Sequence, residues 1–114
     1  MTPDQVKASY RRALKGHVSV RRYTGVGTSR PSTQIDNIRA RIVGYAPTEL
    51  IGTIQQGDRR AVLYADDVDG SALGPLKASD KIIEYGRELQ IVAVDASTRR
   101  VGDVLIAYEV QVRG

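Results

Sequence analysis

Few groups in this chain could make or break a covalent bond. There is one histidine, His17, and no cysteine, so thiolate nucleophiles, thiolate metal sites and disulfides are excluded. His17 opens an alternating stretch just past a helix-stop pattern. A seryl mechanism would need a base and an orienting acid brought to one hydroxyl, and nothing in the local sequence advertises that arrangement. Thirteen acids are present, none in a motif that marks a glycosidase pair. Asp66, Asp67 and Asp69 before Gly70 resemble a fragment of a calcium loop. The acid required at its last position is absent, because that place falls on Lys77 or Ala78. A solvated, Asp-rich turn is the better reading. Gly25-Val26-Gly27-Thr28 is faintly like a phosphate loop but lacks the Gly-Lys-Ser/Thr ending and a following helix. No catalytic, cofactor-binding or metal-binding residue is assigned, and no enzymatic activity is expected.

Charge carries more information. The net +4 divides unevenly: residues 1–41 hold nine Lys/Arg and two acids (+7), and residues 42–114 hold eight Lys/Arg and eleven acids (−3). Two uses fit such a split. Arg21, Arg22, Arg30, Arg39 and Arg41 could contact nucleic acid, although only Tyr23 and Tyr45 lie near them as stacking partners. Alternatively, like subunits could pack head to tail, the basic front of one meeting an acidic patch such as Asp66, Asp67 and Asp69 on the next.

The elements that would position these residues can be read in order. At 114 residues one domain is expected. No apolar run approaches the ~20 residues of a membrane span, and the N-terminus lacks an apolar signal core. A soluble protein made in the cytosol is expected. Thr2-Pro3-Asp4-Gln5 is a helix start with capping-box spacing, and Val6, Tyr10, Ala13 and Leu14 follow at helical spacing. A helix over 3–15 is predicted, stopped at Lys15-Gly16 and packed on the rest of the fold. A strand over 17–23 follows, then a loop over 24–36 and a second strand over 37–43. The segment 44–60 reads as a long connection in which Thr48 to Gly52 forms one helical turn. Leu50, Ile51 and Ile54 in it must be covered, at ~1.5–3 kcal/mol each if left in water. They either close the barrel mouth or contact another subunit. A third strand runs from 59 to 65, an irregular connection from 71 to 79, and a closing three-stranded meander from 80 to 113. Its first turn falls at Tyr85-Gly86. Its last strand, Val104 to Val112, places Val104, Ile106, Tyr108, Val110 and Val112 on one face. The other face begins apolar and becomes polar at Glu109, Gln111 and Arg113. A strand that bends between two buried layers explains this, and a small barrel supplies the bend.

From Ile38 onward, IRARIVGYAPTELIGTIQQGDRRAVLYADD, then LKASDKIIEYGRELQIVAVD and the closing LIAYEVQVRG, resemble the head–tail joining proteins of long-tailed phages, the head-completion or stopper group. The helix and HVSVRRYTG before them fit the same layout. The resemblance implies a mainly β fold: a small antiparallel β-barrel, SH3-like or related, with one N-terminal α-helix and long loops. It also implies assembly in the virion neck, after synthesis in the host cytoplasm, as a ring of six or twelve copies. The implied partners are portal or adaptor and tail proteins and the packaged double-stranded DNA, with no membrane and no cofactor. In stoppers the loop between the second and third strands closes the channel. Here that places Thr48, Glu49, Leu50, Ile51, Gly52, Ile54, Gln55 and Gln56 as the gating loop. With Gln55, Gln56, Arg59 and Arg60 against Glu49 and Asp58, that loop offers no electrostatic barrier to DNA. The other readings are a tail-completion (terminator) protein of the same neck and a basic nucleic-acid-binding small barrel.

Overall fold

A computed structural model describes residues 2–25, 27, 30–45, 54–55 and 57–114. The first element, α1 (Pro3–Ala13), starts with the capping box its sequence encodes. The Gln5 N–H donates to Thr2 Oγ1 at 3.2 Å and the Thr2 N–H to Gln5 Oε1 at 2.9 Å. These bonds satisfy two backbone donors that the helix leaves open, a contribution of about 1 kcal/mol. The helix ends at Ala13, two residues before the predicted limit. Leu14 caps it through an N–H bond to the Tyr10 carbonyl and is itself buried. Gly16 is not the helix stop but the first residue of a strand. A Cβ there would lie 3.0 Å from the Ala40 carbonyl oxygen, so glycine permits the close pairing.

Six strands form a closed antiparallel barrel: β1 (Gly16–Tyr23), β2 (Ser32–Gly44), β3 (Arg59–Tyr64), β4 (Lys81–Glu84), β5 (Arg87–Asp95) and β8 (Ala107–Arg113). Around the barrel they run β1-β2-β3-β8-β5-β4, with β4 closing on β1. A ribbon of β6 (Arg100–Val101) and β7 (Val104–Leu105) stands apart from it. A short helix, α2 (Ala65–Asp69), follows β3.

Alternation along the strands builds the core. Val18, Val20, Ile38, Ala40, Ala61, Leu63, Ile82, Leu89, Ile91, Tyr108, Val110 and Val112 fill the barrel, and Ala65, Val68, Leu73 and Leu76 join the same cluster from α2 and the loop after it. β3 is buried on both faces because α1 covers its outer one, where Leu14, Val62, Tyr64 and Ala107 form a second cluster with Tyr10 against it. The expected packing of the helix on the barrel is therefore observed.

Three further expectations are corrected. The loop expected over 24–36 is shorter, because Ser32 to Ile35 pair with Tyr23 to Val20 and extend the hairpin. Polar residues there are compatible with strand because this end of the hairpin is largely exposed. Asn37 lies within β2 at φ 61, where the β1–β2 register shifts between Val18 and Val20. The Asp66–Asp69 turn is α2. Finally, Val104 to Val112 is not one strand. The N–H groups of Ile106 and Ala107 both point to the Arg99 carbonyl, so residues 100–105 leave the barrel as the separate ribbon, and β8 alone pairs with β5. The turn at Tyr85-Gly86 is as expected, with both residues in the left-handed region at φ 50 and 78.

Candidate functional site

Four of the five candidate arginines have intramolecular partners. Arg21 donates to Gln34 Oε1 from Nε and Nη2 at 2.9 and 2.7 Å and forms an ion pair with Glu88 at 3.1 Å. Arg22 makes a fork on Asp80, Nε to Oδ1 at 2.7 Å and Nη2 to Oδ2 at 2.9 Å, and also donates to the Leu73 and Pro75 carbonyls. Arg30 stacks 4.2 Å from the Tyr23 ring centroid. Arg39 pairs with Asp67 at 3.1 Å and lies over Tyr64. Arg41 is exposed and has no ion-pair partner among the described residues.

The acids expected to reach a neighbouring subunit are engaged inside the chain. Lys7 meets Asp66 at 3.0 Å, which raises the lysine pKa. Asp67 also accepts the Arg39 backbone N–H at 3.0 Å. The Tyr108 phenol donates to Asp69 at 2.5 Å; burial first, and this carboxylate second, push the phenol up to about 12. The basic front and acidic back thus already meet within the chain through Lys7–Asp66 and Arg39–Asp67.

Most of the gating-loop candidate lies outside the described residues: Thr48, Glu49, Leu50, Ile51, Gly52 and Gln56. Ile54 is half-buried and Gln55 exposed. The return end of the connection is fixed. The Asp58 N–H donates to the Gln55 carbonyl at 3.0 Å, and the Gln55 N–H donates to Asp58 Oδ2 at 2.9 Å. Asp58, its side chain 1% exposed, also takes Arg113 at 2.8 and 2.9 Å and Gln111 Nε2 at 2.8 Å. The Arg113 guanidinium, helped by these N–H donors and opposed by burial, holds the carboxyl well below the usual carboxylate range.

Asp80 repeats this arrangement. Its N–H donates to the Lys77 carbonyl at 3.0 Å, its Oδ2 accepts the Lys77 N–H at 2.9 Å, and an arginine fork completes it. Neither clasp was assigned from sequence. The signal is an aspartate directly before a strand that opens with a basic residue, Gly57-Asp58-Arg59 and Ser79-Asp80-Lys81.

His17 lies in a shallow cleft of about 200 Å³ with Ser19 and Asp36. Their connections differ from those of a nucleophile triad. The Ser19 hydroxyl donates to Asp36 at 2.6 Å, and Gln34 donates to the same oxygen at 2.9 Å. These two bonds, Gln34 first, hold the Asp36 carboxyl below its ordinary value. The acid thus engages the hydroxyl instead of orienting the imidazole. Among the described residues no group of three His, Asp or Glu could hold a metal ion, and no helix is long and apolar enough to cross a membrane.

Two larger clefts flank the end of α1. One, of about 440 Å³, includes Lys15, His17, Arg41, Glu84 and Tyr85; the other, of about 400 Å³, includes Tyr10, Leu14, Arg41, Val43, Val62 and Arg99. Tyr85 is 97% exposed. Sequence reasoning missed this face because its parts come from α1, β1, β2 and the β4–β5 turn. No protein-family model and no curated protein matches the chain.

Proposed function

We propose that this protein is a structural connector of a phage virion neck. In this reading it assembles as a ring below the portal, helps retain packaged DNA and offers the tail an attachment surface, without catalysis. The observation that carries the reading is the placement of the 45–58 connection. It leaves β2 and re-enters β3 at paired positions, Gly44 opposite Arg59, on a closed barrel with an N-terminal helix. Its return end is anchored to β8 through Asp58 and Arg113. A rigid barrel carrying one long connection from a fixed root suits a part that must hold its place in a ring while the connection reaches inward.

The occupied state of Arg21, Arg22 and Arg39 weighs against the nucleic-acid-binding barrel. Labelled DNA titrated over a salt series should bind weakly and with a shallow salt slope, because three of the five candidate arginines are already held by Glu88, Asp80 and Asp67. The connector reading is tested by mixing the protein with purified portal–adaptor complex and following mass by light scattering across salt conditions. Co-assembly into a larger complex is expected. Failure to co-assemble under every condition would overturn the reading.

A further inference from the structure

The apolar stripe of α1 is incompletely covered. No residue within the helix is buried; its firm anchor is Leu14, immediately after it. Beside it runs the cleft of about 400 Å³, with Tyr10, Leu14, Val43 and Val62 as an apolar surface and Arg41, Arg60 and Arg99 as cations, Arg60 lying 5.0 Å from the Tyr45 ring centroid. The neighbouring cleft of about 440 Å³ shares Ala13 and Arg41 with it, so both open on one face. On that face Lys15 and Arg41 are exposed and have no ion-pair partner among the described residues. Arg99, by contrast, is engaged by Glu109 at 3.0 Å and by the Tyr10 hydroxyl at 3.0 Å. Tyr85 completes the face. It is held at φ 50, which glycine or asparagine adopts more readily, and it presents its whole ring to solvent.

An apolar groove beside uncompensated positive charge, with a displayed tyrosine next to it, matches the anchors that dominate protein interfaces. We propose that this face docks an acidic segment of another protein. An aliphatic side chain of that segment enters the α1 cleft, a flanking carboxylate meets Arg41, and Tyr85 packs against the segment where it crosses the second cleft.

Charge selects this occupant over two others. A second copy presenting the same face would set Lys15 and Arg41 against their equivalents, and Asp66 and Asp67 are already held by Lys7 and Arg39. A nucleic acid would find Lys15 and Arg41 here as the Lys/Arg without an ion-pair or other side-chain partner among the described residues, set on an apolar floor that contributes nothing to a phosphate, while Glu84 is taken up by Arg59 at 2.8 Å. The inference does not depend on the connector reading.

The test uses the whole chain, labelled with nitrogen-15, and a short synthetic peptide containing Glu-Leu-Leu-Glu. Saturable amide shifts are expected at Leu14, Arg41, Val43 and Val62. Arg41→Glu should weaken binding at least about tenfold, and so should a peptide with Gln in place of both Glu. Arg41 is exposed, so the variant should keep a dispersed native spectrum; Lys15→Glu supplies a second charge reversal on the same face. Shifts that fail to saturate, or an affinity unmoved by both reversals, would overturn the proposal. So would tighter binding of a single-stranded oligonucleotide at the same amides, or self-association of the unliganded chain that Arg41→Glu abolishes.

Discussion

The Asp58 and Asp80 clasps share one local geometry and hold different things. Each aspartate precedes a strand, bonds the residue three positions back in both directions and receives an arginine fork. At Asp80 the arginine comes from β1, is 18% exposed at its side chain, and spends its other N–H groups on the carbonyls of the loop it encloses. That loop, 71–80, is thereby fixed along its length, and Leu73 and Leu76 are delivered to the core. At Asp58 the arginine comes from β8 and is 37% exposed, and the aspartate's own bonds secure residues 55–58 and the barrel. The difference shows that an aspartate clasp is a fastener whose reach depends on where its arginine originates and which carbonyls that arginine can also bind.

The largest effect should come from removing the enclosed carboxylate. Asp80→Ala leaves Arg22 without its counter-charge in a largely buried position and should destabilise the fold by about 3–5 kcal/mol in urea unfolding. Faster hydrogen exchange should then extend through 71–80. If the loss stays below the cost at Asp58, the two clasps do not differ as argued.

Asp58→Asn should cost about 2 kcal/mol, because Arg113 retains access to water. Exchange should speed up at Gln55 and Asp58 and leave 71–80 protected. This clasp also sets an acid dependence. Its carboxyl has a depressed native pKa, so its stabilisation is fully present above the ordinary carboxylate value of about 3.9. It is lost progressively as pH falls below that toward the native value. Asp58→Asn should flatten this part of the stability–pH curve, which denaturant midpoints measured from neutral to acid pH will show.

Arg22→Lys keeps the charge but loses the fork and the reach to two carbonyls. It should cost about 1–2 kcal/mol, with the exchange changes centred on Leu73 to Pro75. Smallest of all, Arg41→Glu lies outside both clasps and should change stability by no more than about 0.5 kcal/mol. A larger loss would mean that Arg41 belongs to the framework and not to the docking face.

The sequence was legible where a local pattern dictated the element. The capping box at Thr2–Gln5, the alternation in β1 and the turn at Tyr85-Gly86 all formed where expected, and so did the mainly β barrel with its N-terminal helix. It misled where partners came from afar. Ser32 to Ile35 have loop composition but are strand because Tyr23 to Val20 lie opposite. The apolar run through Ile106 looked continuous, yet the Arg99 carbonyl captures two of its N–H groups. Charge misled most. Arg22 and Arg39 looked like solvent-facing cations until distant acids, Asp80 and Asp67, were placed against them. The cleft face was hidden for the same reason, since Arg41 and Tyr85 meet only through the pairing of β1 with both β2 and β4.

The position of β8 between β3 and β5 has a kinetic consequence. Its pairing with β3 joins residues 43 to 53 positions apart, from Tyr64 with Ala107 to Arg59 with Val112, so the barrel cannot close until β8 has left the ribosome. Until then β3 and β5 each carry an edge without a partner. Closure of such non-local pairings belongs to the millisecond-to-second regime of β folds, roughly. The nascent chain must therefore stay unaggregated through that interval, and the charged residues on its strands, Arg59 and Glu88 among them, are placed to keep those edges from finding one another.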